Sequence, residues 1–335
     1  MFIPRRVIFE KRALDYELGT SIFEEFKDKK VEIMYSSNGR IIGIPGTTPS
    51  EMYFEGKNTL VVGVRKNLNF ATCKPSANYQ LPIVSGCSGM CEYCYLNTQM
   101  GKKPYVKIYV NIDEILSRSQ EYIDERKPNI TVFEGAATSD PVPVEYYSRA
   151  LKNSIEFFGK SELGKFRFVT KFTDIDTILG LSHNGNTTIR FSINTDRVIN
   201  AYEHKTTNAS ERITAANKLY NDGYKIGFII APVFLYEGWE EEYGNLIKLI
   251  ASKFPKGNIK FEVISHRFTK RAKENIINIF NKTTLPMEEE KRKFKFGQFG
   301  YGKYIYKNED MDLMKKFFRI KLVQYFGEEN INYII

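Results

Sequence analysis

The sequence predicts an α/β fold whose strands run parallel, either as a doubly wound sheet or as a partial barrel. Two observations carry this. Short runs rich in β-branched and aromatic residues recur at 80–85, 129–134, 166–172, 188–194, 225–234 and 258–264. Helix-like segments lie between them, at 112–125, 144–158, 210–222 and 240–253. Six such repeats need crossovers, and crossovers make successive strands parallel.

Taken in order, the first 78 residues read differently. Strand-like pieces at 31–35 and 59–64 flank a Gly/Pro-rich loop at 44–49, so residues 1–78 are expected to form an N-terminal α+β region. Residues 79–270 hold the six repeats. Helix starts are marked by Asn111-Ile112-Asp113-Glu114 and Asn208-Ala209-Ser210-Glu211. Gly223, Gly227 and Gly238 punctuate the later turns. Residues 271–335 are expected to be an extension: a helix ending near Asn281, a charged turn, a Gly-punctuated hairpin over 291–307 and a last helix over 309–325.

Composition narrows the class of protein. With 335 residues, 42% hydrophobic and 27% charged, the chain buries a core and is neither disordered nor a disulfide-stapled miniprotein. The longest apolar stretch, about 226–236, is roughly half of the ~20 residues that span a bilayer. The start Met1-Phe2-Ile3-Pro4-Arg5-Arg6 lacks the apolar core of a signal peptide, so a cytoplasmic protein is expected. A net charge of +9 favours a polyanionic partner only weakly, because the whole chain is rich in Lys, Asn and Ile.

The cysteines are clustered. Cys87, Cys91 and Cys94 lie within eight residues, Cys73 stands apart, and none follows. A secreted scaffold would spread its cysteines, so the cluster points to metal ligation. A mononuclear zinc site would need a fourth ligand, from Cys73 or from the distant His183, His204 or His266. A three-thiolate iron–sulfur cluster leaves one iron open to a cofactor.

The spacing C-x₃-C-x₂-C, with Tyr93 before the third cysteine, resembles the radical S-adenosylmethionine enzymes. The resemblance sharpens downstream. Phe133-Glu134-Gly135-Ala136-Ala137-Thr138-Ser139-Asp140, Arg167-Phe168-Val169-Thr170-Lys171, Arg190-Phe191-Ser192-Ile193-Asn194, Ala231-Pro232 and His266-Arg267-Phe268-Thr269-Lys270 are similar to motifs of the spore photoproduct lyase family. Lys303-Tyr304-Ile305-Tyr306 extends the similarity, which covers about residues 70–307. It implies a partial (β/α)₆ TIM-like barrel of radical SAM type, with an N-terminal layer and a C-terminal hairpin and helix extension. It also implies a [4Fe–4S] cluster on Cys87, Cys91 and Cys94, and S-adenosyl-L-methionine held by Ser139, Lys171, Ser192, Asn194 and Ala231. Those five fall at or just after strand ends, where α/β folds bind ligands. The implied reaction reverses spore photoproduct in UV-damaged DNA to two thymines through a 5′-deoxyadenosyl radical. A one-electron donor is implied, the protein is expected to be a monomer, and no membrane partner is expected.

One position departs from the family pattern. The best-known members carry a hydrogen-donating cysteine where this chain has Ala137. An alanine C–H bond is too strong for that role. Cys73, in Thr72-Cys73-Lys74-Pro75, is the one thiol outside the cluster. It is the candidate replacement donor, with Tyr93 and Tyr95 relaying the radical back to the cofactor. The alternative is an inert, half-buried thiol.

The segment Lys291–Lys307 has six basic residues, six aromatics and no acid. Basic side chains neutralise phosphates, and aromatics stack on bases that leave the helix. Lys295, Gln298, Tyr301 and Lys303, with His266 and Arg267, are the candidate DNA contacts. Two other readings stay open: a radical enzyme with another nucleic-acid or small-molecule substrate, and a non-catalytic iron–sulfur or zinc protein that binds nucleic acid.

Overall fold

The computed structural model describes residues 1–37, 39–255, 258–296 and 302–335. The chain divides into two compact units, Met1–Gly89 with Met100–Thr188, and Met90–Gln99 with Ile189–Ile335. These divisions do not follow 78/79 and 270/271. No helix among the described residues is long and apolar enough to cross a membrane.

The first unit contains a five-stranded sheet in the order Glu32–Ser36, Arg6–Glu10, Thr59–Gly63, Val106–Tyr109, Val84–Ser85. The first four strands are parallel and the last is antiparallel. Val7, Phe9, Leu60, Val62, Val106 and Ile108 pack with Ile22 and Phe26 of the helix Glu17–Lys27. Each such buried side chain stabilises the fold by roughly 1.5–3 kcal/mol relative to exposure. The helix Pro49–Lys57 begins with a capping box between Thr48 and Glu51, which satisfies two otherwise orphan backbone donors.

The same unit carries the first strands of the β-α series. Ala77–Gln80, Thr131–Glu134 and Gly164–Thr170 run parallel, and Thr72–Cys73 pairs antiparallel with Ala77–Gln80. The strand expected over 80–85 is split. Pro82 has no N–H to donate, and Val84–Ser85 joins the N-terminal sheet beside Val106–Tyr109. This is why the N-terminal layer draws on residues beyond 78.

The helix expected over 144–158 is broken as well. Arg149 adopts a left-handed conformation, φ 50°, between the helices Glu145–Ser148 and Ala150–Gly159. The buried Glu145 carboxylate accepts hydrogen bonds from the backbone N–H groups of Leu151 (2.7 Å) and Lys152 (2.9 Å), capping the second helix. Burial pushes its carboxyl up to about 7.

In the second unit, Lys225–Val233, Lys260–Ser265 and Ile331–Ile334 run parallel. Their inner faces pack Phe228, Phe261 and Val263. A register shift falls between Ile230 and Val233, at Ala231-Pro232. The helix Asn308–Phe326 lies against the helix Trp239–Lys253, with Phe318 and Tyr243 ring centroids 5.3 Å apart. The final strand, which had no sequence signal, pairs with Lys260–Ser265. The expected extension is therefore an integral part of this unit.

Candidate active site

In the first unit, the cysteine loop leaves the strand Val84–Ser85 through Gly86, φ 81°. A Cβ there would stand 2.3 Å from the Tyr105 carbonyl oxygen, so only glycine fits. The Gly86 N–H donates to the Thr138 carbonyl (3.0 Å), and the Asp140 N–H donates to the Gly86 carbonyl (3.2 Å). The start of the loop is thus stitched to the segment holding Ala137 and Ser139.

A buried lysine grips the same loop. Lys57, 1% exposed at the end of its helix, donates to the carbonyls of Cys87 and Gly89, both at 2.8 Å. The Gly89 N–H points at Cys87 Sγ (3.3 Å) and stabilises a thiolate there. Sequence reasoning missed Lys57, since a lysine closing a helix normally lies in solvent.

Asp140 organises the neighbouring strand ends. Its carboxylate accepts from Thr170 Oγ1 (2.8 Å), the Lys171 N–H (3.0 Å) and the Val142 N–H (3.3 Å). Burial, partly offset by these donors, pushes its carboxyl up to about 6. It therefore sets the backbone at Lys171 and at Val142. The Ser139 hydroxyl donates to the Gly135 carbonyl at 3.3 Å.

Ala137 lines a cavity of about 80 Å³ with Ala71, Ser85, Ser139, Arg65 and Tyr109. Cys73 does not line it. Cys73 is half-buried, two residues beyond Ala71, and lies opposite Ala77 in its hairpin.

In the second unit, Met90–Cys91 pairs antiparallel with Glu203–His204. Asn97 Nδ2 donates to the Cys91 carbonyl (2.9 Å), and the Cys94 N–H to the same oxygen (3.2 Å). Cys91 is buried and Cys94 half-buried, and none of the three cluster cysteines is disulfide-bonded. Among the described residues no three His, Cys, Asp or Glu side chains converge on a single-ion site. The braced backbone and the amide donor at Cys87 suit thiolates.

The two tyrosines differ. Tyr93 is half-buried, its hydroxyl donates to Glu203, and its ring lies 6.1 Å from that of Phe234. Burial first, then Glu203, raises its hydroxyl well above its ordinary value. Glu203 also accepts from Arg212 Nη2 (2.7 Å), and Arg212 Nη1 donates to the Ser192 carbonyl (2.9 Å). Both charged side chains are fully buried. Tyr95 is 53% exposed. Glu203 and Arg212 carried no motif and were missed.

Ser192 is nearly buried, and Ala231 sits in the irregular stretch of its strand. Asn194 is held by protein groups. Its side chain is fully buried, donating to the Pro232 carbonyl (2.7 Å) and accepting from Tyr243 Oη (2.7 Å) and the Thr195 N–H (3.0 Å). Its amide thus ties together the backbone at Pro232 and Thr195.

His266 is 2% exposed, its ring lies 4.5 Å from that of Phe234, and it faces Arg292. Arg292 donates to the His266 carbonyl (3.1 Å) and lies 3.2 Å from His266 Nδ1, with its guanidinium 3.8 Å over the Tyr306 ring. Burial, then the Arg292 charge, drives His266 down to about 3. Arg292, Tyr306, Phe234, Tyr236, Tyr202 and Arg197 line a cavity of about 460 Å³.

The hairpin forms as expected where it is described. Lys293–Phe296 pairs antiparallel with Gly302–Ile305, and Lys295 stands opposite Lys303. Gln298 and Tyr301 lie outside the described residues. Lys303 is pushed below its ordinary value by burial, then by the charges of Arg267 and Lys295. These three cations therefore share one small region. Phe294 and Phe296 are exposed beside them, at 47% and 77%.

A family model described as spore photoproduct lyase matches residues 2–335. A spore photoproduct lyase of Clostridium acetobutylicum is 61% identical over 331 residues, covering 99% of this chain and 98% of that one. The lyase of Bacillus subtilis is 44% identical over 336 residues, covering 99% and 98%. Among solved structures, a spore photoproduct lyase complexed with dinucleoside spore photoproduct matches with a TM-score of 0.95 and 42% identity, over 100% of this chain and 99% of that one. A double mutant of the lyase, in which one cysteine becomes alanine and one serine becomes cysteine, matches equally well at 43% identity and holds AdoMet and the dinucleoside photoproduct.

Proposed function

The chain belongs to the spore photoproduct lyase family, and from that premise we propose that it reverses spore photoproduct, 5-thyminyl-5,6-dihydrothymine, to two thymines in UV-damaged DNA. The observation that carries the reading is the cysteine loop. Three unbridged thiols stand on one segment, stitched at Gly86 and clamped by Lys57, in a chain matched by the lyase family along its length. Cys87, Cys91 and Cys94 would hold a [4Fe–4S] cluster. Bound there, the cluster and S-adenosyl-L-methionine supply a one-electron cleavage that yields a 5′-deoxyadenosyl radical.

The protein's own residues place the reactants. Ser139 and Lys171 offer a hydroxyl and a cation at strand ends that Asp140 holds in register. Ser192 and Ala231 offer a hydroxyl and a close backbone approach. Asn194 and Arg212 act one layer behind, on the backbone of Pro232 and Ser192. Arg267, Lys295 and Lys303 neutralise DNA phosphates, and the exposed Phe294 and Phe296 provide stacking surfaces.

Cys73 takes the hydrogen-donor role that Ala137 cannot perform, and Tyr93 and Tyr95 return the radical toward the cofactor. Two observations support this. The solved double mutant moves its cysteine between positions separated by the same number of residues as Cys73 and Ala137. The cavity beside Ala137 is walled by Ala71, two residues from Cys73. The protein acts where damaged DNA lies, in the cytoplasm or spore core, as a monomer served by a one-electron donor.

Anaerobic reconstitution followed by assay on dinucleoside spore photoproduct tests the reading. Two thymines per lesion are expected. A protein that cleaves S-adenosyl-L-methionine but leaves the photoproduct intact would move the assignment to another substrate. A protein that binds iron and cleaves neither would be a binding module.

A further inference from the structure

The first unit carries a second cavity that the reaction does not use. It measures about 280 Å³ and is lined by Glu10, Gly39, Val64, Lys66, Asn67 and Lys107, together with Arg65 and Tyr109. It opens at the carboxyl ends of Arg6–Glu10, Thr59–Gly63 and Val106–Tyr109, which is where parallel sheets take ligands. Arg65 and Tyr109 also line the 80 Å³ cavity beside Ala137 and Ser139. The two spaces thus share a wall.

The charge there is unbalanced. Glu10 is the one acid in the lining; it pairs with Lys107 and accepts from the Val64 N–H at 3.1 Å. Arg65 and Lys66 have no ion-pair partner among the described residues. Arg65 is pre-set for a ligand. Its backbone is clamped by Asn111, its Nε donates to the Asn67 carbonyl (2.8 Å), and its guanidinium lies 5.6 Å from the Tyr109 ring centroid. The exposed Lys66 amine reaches over Gly39 at the rim, 3.6 Å from where a Cβ on that glycine would stand.

We propose that this basic groove of the N-terminal layer binds the phosphate backbone of the DNA strand beyond the lesion, with Arg65 and Lys66 as the phosphate contacts. The inference rests on the lyase reading. A lesion at the cavity beside Ala137 drags flanking phosphates with it, and the adjoining groove supplies the cations for them. Phosphate contacts position a strand without reading its sequence, which suits repair of one lesion in any context. A dinucleoside has no flanking phosphates and leaves the groove empty.

The experiment compares two substrates with Lys66→Glu and Lys66→Arg. For a photoproduct inside an oligonucleotide, Lys66→Glu should raise Kd and KM by about tenfold and flatten the salt dependence of log Kd by about one unit. Lys66→Arg should restore both. Repair of the dinucleoside photoproduct should be unchanged in either variant. Oligonucleotide binding equal to wild type would overturn the groove, and so would an equal loss on both substrates. Failure of the wild-type protein on the dinucleoside would instead sink the lyase reading, while the binding comparison still decides the groove.

Discussion

Lys295 and Lys303 face each other across the hairpin as register partners, with Arg267 close enough to push Lys303 below its ordinary value. Like charges directly opposite on a sheet are destabilising. Their arrangement makes sense when an anion lies between or over them. Lys295, Lys303 and Arg267 thus concentrate positive charge in one small region.

Lys303→Ala should weaken binding to damaged and undamaged duplexes alike. The salt slope of log Kobs should flatten by about one, as expected for a lost phosphate contact. Fluorescence anisotropy across a salt series measures this. An unchanged slope would remove Lys303 from the interface.

Cys73→Ala should uncouple cleavage from repair. The bond joining the two thymines still breaks, but the thymine radical lacks its hydrogen donor. Aborted products should appear in place of clean thymine, with little change in folding, because the thiol is only half-buried. Chromatography of products from the dinucleoside substrate gives the answer. Clean thymine at the wild-type rate would leave Cys73 inert.

Lys57→Met should loosen the cluster loop. It leaves the Cys87 and Gly89 carbonyls without their shared donor, at a cost of roughly 1–3 kcal/mol for each group left unsatisfied. Iron content per chain after reconstitution should fall, and denaturant midpoints should drop. Wild-type iron loading in this variant would show that the clamp does not matter to the cluster.

His266 predicts an acid-side loss of stability. Its folded-state value, about 3, lies below the ordinary 6.5, so the unfolded chain takes up a proton that the folded chain refuses. The contribution is complete above pH 6.5 and is lost as the pH falls from 6.5 toward 3. Urea unfolding at pH 7 and pH 5 should show wild type losing more stability than His266→Phe over that interval. Equal losses would mean that His266 protonates in place.

Much of the scaffold follows from local pattern. The strands Thr131–Glu134, Gly164–Thr170, Thr187–Ile193, Lys225–Val233 and Lys260–Ser265 fall within a few residues of their expected places. The helix Ile112–Glu125 coincides with its expectation. Periodicity and helix-start residues act within a dozen positions, so they are readable in one dimension. The misplaced elements had distant causes. The break at Arg149 needs the Glu145 carboxylate to cap the following helix. The split of 80–85 needs Val106–Tyr109 as a partner for Val84–Ser85.

The sequence by itself determined the α/β class, the close spacing of Cys87, Cys91 and Cys94, the lone thiol of Cys73, and the basic aromatic hairpin. Each is a matter of residue type and spacing along the chain. The tertiary structure alone decided which polar groups are buried and which protein groups they meet. It buried Asn194 and His266, joined Tyr93 to Glu203 and Arg212, and brought Lys57 onto the cysteine loop. The reason is that burial and hydrogen-bond partnership depend on segments tens of residues apart, whose approach only the packed core dictates.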